Sequence, residues 1–179
     1  MQLLTALLAL THTFISPSEA DETTTTGYSK GLVILEQDTL KGIIQIKMDQ
    51  DHLVLKNGSR YRVVTAREIT KAVTPEGTYV GLDAGENPRL FEMLCAQNGM
   101  MIVYRENFKY FPTDIETTPP FFIFEKGKLE PIFKNKDILK VFGDDDKWMA
   151  YHIKTKNLDL NSKEDMIKAF EYYESEKIF

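Results

Sequence analysis

Three histidines, one cysteine and the triplet Asp144-Asp145-Asp146 are the residue types that acid–base, nucleophilic and metal chemistry use. Their spacing favours none of these chemistries. His12 falls in an apolar N-terminal run. His52 and His152 are far apart in the chain, with no His, Cys or carboxylate set at ligand spacing around either. His52 is expected to open a strand, and His152 to border a helical stripe. Cys95 lies in the apolar run Met93-Leu94-Cys95-Ala96, where an inert buried thiol is expected, since reactive cysteines need electropositive, accessible surroundings. Serine catalysis would need a Gly-x-Ser-x-Gly elbow or a similar context, and the sequence is read as having none. The Asp triplet lacks the alternating ligands and distal Glu of a calcium loop, because Lys147 and Trp148 follow it directly. It suits a helix N-terminus, where carboxylates complement the dipole. Neither a metal nor a cofactor is expected.

The segment best suited to recognition is 106–120, a connection long for a compact domain. Phe108, Tyr110, Phe111 and Ile115 lie in it, with Arg105 and Lys109 near enough to donate hydrogen bonds. Aromatic side chains in such a loop stack on sugar rings or anchor a peptide. Arg105, Phe108, Lys109, Tyr110 and Phe111 are therefore the candidate binding residues. The competing expectation is that the same aromatics close the open end of a sheet as core.

The elements that must position this loop are short β-branched or aromatic runs separated by turn residues, the pattern of antiparallel hairpins. Strands are expected over 31–36, 40–48, 52–56, 60–65, 69–74, 78–82, 90–97, 100–105, 121–125 and 129–133. Asn57-Gly58 predicts a type I′ hairpin turn, as does Asn98-Gly99, while Lys126-Gly127-Lys128 links the last pair. Asn57-Gly58-Ser59 also matches a glycosylation sequon, but that Asn is claimed by the turn. After Phe133 the apolar period becomes helical. Asn135 is expected to cap a helix carrying Ile138, Leu139 and Phe142 and ending before Gly143. A second helix carries Trp148, Met149, His152 and Ile153. A third, capped by Asn161 or Ser162, carries Met166, Ile167, Phe170 and Tyr173. The fold class is α+β, with antiparallel hairpins forming a meander, roll or small barrel over 28–133 and about three helices over 134–179.

Residues 1–20 read as an export signal. An apolar run from Leu3 to Leu10 leads to Ser18-Glu19-Ala20, whose small residues sit at the minus-three and minus-one positions of a signal-peptidase site. No Lys or Arg precedes the run. The run is short for a bilayer span and is interrupted by His12 and Thr13, so no transmembrane segment is expected in the mature chain. Cleavage after Ala20 changes the net charge from −5 to −4, because Glu19 is the only formally charged side chain removed. A polar leader, 21–27, precedes a single domain. The mild acidic balance gives no electrostatic reason for nucleic acid binding. One cysteine excludes an intramolecular disulfide.

The signal segment, Lys41-Gly42-Ile43, Lys56-Asn57-Gly58 and the ending Lys163-Glu164-Asp165-Met166-Ile167 with Tyr172-Tyr173 resemble those of uncharacterised exported, β-rich Bacteroidota proteins with a short helical C-terminal region. The resemblance implies a β-rich envelope protein and supplies no functional residues. The expected function is that of an exported, periplasmic or extracellular, non-enzymatic module binding an envelope protein or glycan. The alternatives are a small periplasmic hydrolase using carboxylates and a self-associating structural protein.

Overall fold

The computed structural model describes residues 27–85, 87–109 and 119–176. The expected signal 1–20, the leader up to residue 26, and Tyr110, Phe111 and Ile115 lie outside the described residues. Ten strands form: β1 Ser29–Ile34, β2 Thr39–Lys47, β3 His52–Asn57, β4 Arg60–Thr65, β5 Lys71–Thr74, β6 Gly77–Ala84, β7 Asn87–Gln97, β8 Met100–Tyr104, β9 Phe121–Glu125 and β10 Lys128–Pro131. They make one antiparallel sheet in the order β10-β9-β8-β7-β6-β5-β1-β2-β3-β4. Two runs of consecutive strands, β1–β4 and β5–β10, are joined where β1 pairs with β5. β4 and β10 are edges, so the sheet is open and the small barrel among the expected forms is not what the chain adopts.

Turn chemistry sets the hairpin registers. Asn98 and Gly99 both have positive φ, as do Lys126 and Gly127, as a type I′ turn requires. The β3–β4 turn differs from expectation. Asn57 pairs with Arg60, so the loop is Gly58-Ser59, and of these only Gly58 has positive φ. That is the type II′ pattern, in which the glycine takes the first central position, and it leaves Asn57 as the last residue of β3.

The sheet rolls in opposite directions in its two halves. On one face, here the front, Val33, Ile44, Leu53, Leu55, Val64, Ala72 and Leu90 form a core enclosed by β1–β5 and the end of β7. The connection 66–70 returns from the edge strand β4 to β5. It contains two backbone turns, Glu68 N–H to Thr65 and Ile69 N–H to Ala66, so it cannot stretch across four flat strand spacings of about 4.8 Å each. The first half therefore curls until that connection lies on β6. There the position must be Gly81, because a Cβ would stand 1.8 Å from the Ala66 carbonyl oxygen.

In the second half the core is on the back face: Val80, Leu82, Phe91, Val103, Phe122 and Leu129 pack together, and β10 comes back against β6. Phe108 closes this cluster, edge-on to Phe91 at 5.2 Å and to Phe122 at 5.5 Å between centroids. Each such pair contributes about 0.5–1.5 kcal/mol beyond burial.

The front face of the second half is covered by the C-terminal region. Cys95, Ile102 and Phe121 pack under Ile138, Phe142, Met149, Phe170 and Tyr173. Two helices are present where three were expected, Asp146–Thr155 and Lys163–Glu176. The first expected helix is one turn, Asn135–Leu139, running into a 3-10 segment, Lys140–Asp145, broken at Gly143 with φ +59°. Asn135 is already inside that turn, which has no side-chain cap. Ser162 accepts the Asp165 N–H at 3.4 Å, supplying the expected cap of the last helix. Its buried stripe is Met166, Ala169, Phe170 and Tyr173, with Ala169 at the place expected of Ile167. No helix of the described residues is long and apolar enough to cross a membrane.

Candidate functional site

Of the expected binding residues, Arg105 and Phe108 are buried and Lys109 is exposed, while Tyr110 and Phe111 lie outside the described residues. Arg105 follows β8 at the point where β8 stops pairing with β7. The last such pair is Glu92 with Tyr104, which leaves the backbone of Leu90 without a strand on that side. Two side chains take the place of one. The Asp51 carboxylate accepts the Leu90 N–H at 2.8 Å, and the Arg105 guanidinium donates to the Leu90 carbonyl at 2.9 Å. Arg105 also donates to the Asp51 carboxylate and to the Met48 carbonyl, and lies over the Phe108 ring at 5.3 Å.

Asp51 is placed for this by a left-handed turn, φ 53°, between the 3-10 turn Met48–Gln50 and β3. Its backbone carbonyl accepts the Ala66 N–H, and its carboxylate also takes Arg89 at 2.7 Å. Burial pushes the Asp51 carboxyl up, but hydrogen bonds from Arg105, the Leu90 N–H and Arg89 together hold it below the usual aspartate value. The sequence singled out Arg105 but gave no sign of Asp51, which lies 54 residues away in the chain.

A cleft of about 740 Å³ adjoins the group, lined by Met48, Arg89, Glu92, Tyr104, Glu106 and Lys109 among others. Two of its carboxylates are engaged. Glu92 is bound to Lys163 at 2.7 Å, and Glu106 accepts the Tyr104 hydroxyl. Lys163 lies 5.1 Å from the Tyr104 ring centroid. Glu92, tied to a cation, is a weak proton acceptor.

The other residues of chemical interest are dispersed. Burial pushes the Cys95 thiol up to about 12. His52 opens β3, with Nδ1 3.1 Å from the Gln50 carbonyl, and His152 stacks on Tyr172 with centroids 3.4 Å apart. Burial, then Lys156, lowers the His152 pKa. Asp145 accepts the Tyr173 hydroxyl at 3.0 Å. Among the described residues no group of three or more His, Cys, Asp or Glu could hold a metal ion. Contrary to the sequence reading, the Gly-x-Ser-x-Gly pattern does occur, as Gly27-Tyr28-Ser29-Lys30-Gly31. Its context is wrong for an elbow, since Ser29 begins a strand and its hydroxyl donates to Glu76 at 2.6 Å.

One surface has an unusual composition. In the first half the core takes the front face, so the back face of β1–β5 looks outward. Side chains on one face recur every second residue, and directly paired residues share a face. The back face therefore carries Lys30, Lys41, Lys47, Lys56 and Lys71, and no Asp or Glu on any of the five strands. Among the described residues none of these lysines has an ion-pair partner, although Lys56 lies 6.0 Å from the Tyr61 ring centroid. Acidic groups stand only at its rim: Asp38 holds the Thr39 N–H, Glu76 holds Ser29, and Glu68 is bound to Thr65 and Arg62.

The apolar residues of this face are ordered too. Val73 pairs with Leu32, Lys30 with Ile43, Ile43 with Lys56, and Val54 with Val63. Val73, Leu32, Ile43, Val54 and Val63 thus form a diagonal, one residue per strand, with Lys30 and Lys47 on one side and Lys41, Lys56 and Lys71 on the other. A shallow hollow of about 440 Å³ lies on it between Lys30, Lys41 and Lys56. Toward the β4 edge the face becomes more exposed, Tyr61 at 62% and Val63 at 56%. Periodic lysines are visible in the sequence, but only the register brings them together. Comparison of the chain with known protein families, curated proteins and solved structures finds no match in any of the three.

Proposed function

We propose that the chain is an exported, non-enzymatic module that binds a protein or glycan partner, and that it does so through the outer face of β1–β5. The observation that carries this reading is a face of five lysines without a carboxylate, in a protein whose net charge is −5. Unpaired like charges repel one another, so such a face is costly to the free protein and profitable only against a negative partner. Export is supported by the residue pattern of 1–20 and by the resemblance to exported envelope proteins.

Binding of the purified chain to envelope fractions of the producing cell tests the reading, with wild type set against a Lys30→Glu, Lys41→Glu, Lys56→Glu variant. Wild type binds and the variant does not, and pretreating the fractions with protease or with periodate tells protein from glycan. Equal retention of both chains overturns the assignment of the face. Mass measurement of the mature N-terminus gives Asp21 if the export reading holds, and an intact Met1 in those fractions refutes it.

A further inference from the structure

We infer that the partner docks an acidic amphipathic segment of a protein, laid along the apolar diagonal from Val73 to Val63; this rests on the binding-module reading and names its ligand. The stripe is aliphatic. Sugars and nucleobases are held largely by stacking on aromatic rings, and the back face of these strands carries one Tyr, Tyr61, no Phe or Trp, and His52 at its margin. Insertion into a bilayer relies on bulky, protruding apolar anchors. Here Leu32, Ile43, Val54 and Val73 are only partly exposed.

A narrow apolar line flanked on both sides by cations complements a narrow apolar line flanked on both sides by carboxylates. That is the profile of an amphipathic helix with Glu or Asp bordering its stripe. The dimensions agree. The diagonal crosses four strand spacings and shifts by four residues, so its length is about 23 Å, from about 4.8 Å per strand and about 3.4 Å per residue. A helix of about 16 residues covers that distance at about 1.5 Å per residue. The β4 edge lets the segment enter from the side where Tyr61 and Val63 are most exposed.

The test uses the full chain and a fluorescent synthetic peptide of about 16 residues, with leucines at helical spacing and glutamates along both flanks. Comparison probes are a scrambled peptide of identical composition, a peptide with lysine in place of every glutamate, polygalacturonate, and phosphatidylglycerol vesicles. Fluorescence anisotropy is expected to show the patterned peptide binding at least about tenfold more tightly than its scramble, weakening with salt. Amide shifts fall on β1–β5. Lys41→Glu with Lys56→Glu weakens binding at least about tenfold and gains affinity for the lysine peptide, a gain that a misfolded variant does not produce. Equal binding of patterned and scrambled peptides, or no binding of either, overturns the inference. If polygalacturonate or the vesicles bind in a Lys41- and Lys56-dependent way while the peptide does not, the inference falls and the binding-module reading stands. If no probe responds to these lysines and the triple variant still binds envelope fractions, both fall.

Discussion

Arg105 and Asp51 meet where β8 leaves β7, and between them they satisfy both backbone groups of Leu90. Their side chains are 10% and 13% exposed, and Arg105 has Asp51 as its ion-pair partner among the described residues. Replacing Arg105 with Ala leaves the carboxylate with Arg89 and the Leu90 N–H but strands two carbonyls, and is expected to cost about 3 kcal/mol in urea unfolding. Arg105→Lys is expected to recover only part of this, because one ammonium cannot reproduce a fork that spans Asp51, Leu90 and Met48.

The same pair gives a pH dependence. The folded Asp51 pKa lies below its ordinary value, so the unfolded state binds the extra proton first as pH falls. The stabilisation is complete above the ordinary aspartate range. It declines below about pH 4 and is lost as pH passes through the lower, folded value. Comparing unfolding free energies of wild type and Asp51→Asn from pH 7 to pH 3 is expected to show a difference that shrinks toward the acid end.

Gly81→Ala is expected to destabilise by about 3 kcal/mol, since the obstacle to its Cβ is the Ala66 carbonyl rather than a movable side chain. Hydrogen exchange at Gly81, whose N–H is bound to the Ile69 carbonyl, gives a local readout of that contact.

Phe108→Ala is expected to cost about 3–5 kcal/mol of stability, the range for removing a buried aromatic ring. A ring acting purely as a partner anchor would leave thermal unfolding unchanged, so calorimetry distinguishes the two roles.

Lys30→Ala, Lys41→Ala and Lys56→Ala together are expected to leave stability within about 0.5 kcal/mol of wild type, or to raise it slightly. These side chains have no ion pair to lose among the described residues, and removing them relieves mutual repulsion. A fall of several kcal/mol would show that the lysines serve the fold.

The strands were legible because alternation and turn dipeptides are local signals, and all ten expected strands overlap strands of the sheet. The failures have local causes as well. Asn57-Gly58 suggested one hairpin register and Gly58-Ser59 provides another, since a single glycine with positive φ suffices for type II′. β7 begins earlier than expected and takes in Pro88, although proline usually argues against an interior strand position. The Gly81 N–H points away from β7, so Gly81 and Leu90 form a non-hydrogen-bonded pair. By alternation Asp83 and Pro88 do too, which turns the proline nitrogen to the side that β8 has vacated. What sequence could not reveal was distance in the chain. β1 finds β5, Asp51 finds Arg105 across 54 residues, and lysines on separate strands converge on one face only once the registers are fixed. The aromatic loop drew attention because it was long, whereas the face now proposed for binding was hidden in ordinary hairpins.

The reversal of curl has a consequence for how the molecule can be divided. Two half-rolls suggest two modules, yet Leu90 of the second completes the core of the first, and Asp51 of the first completes the backbone of the second. Cutting the chain between β4 and β5 leaves the first fragment with an open core and the second with the Leu90 backbone unsatisfied. The halves thus share parts at the one place where the topology looks like a joint, and a single cooperative unfolding transition is expected.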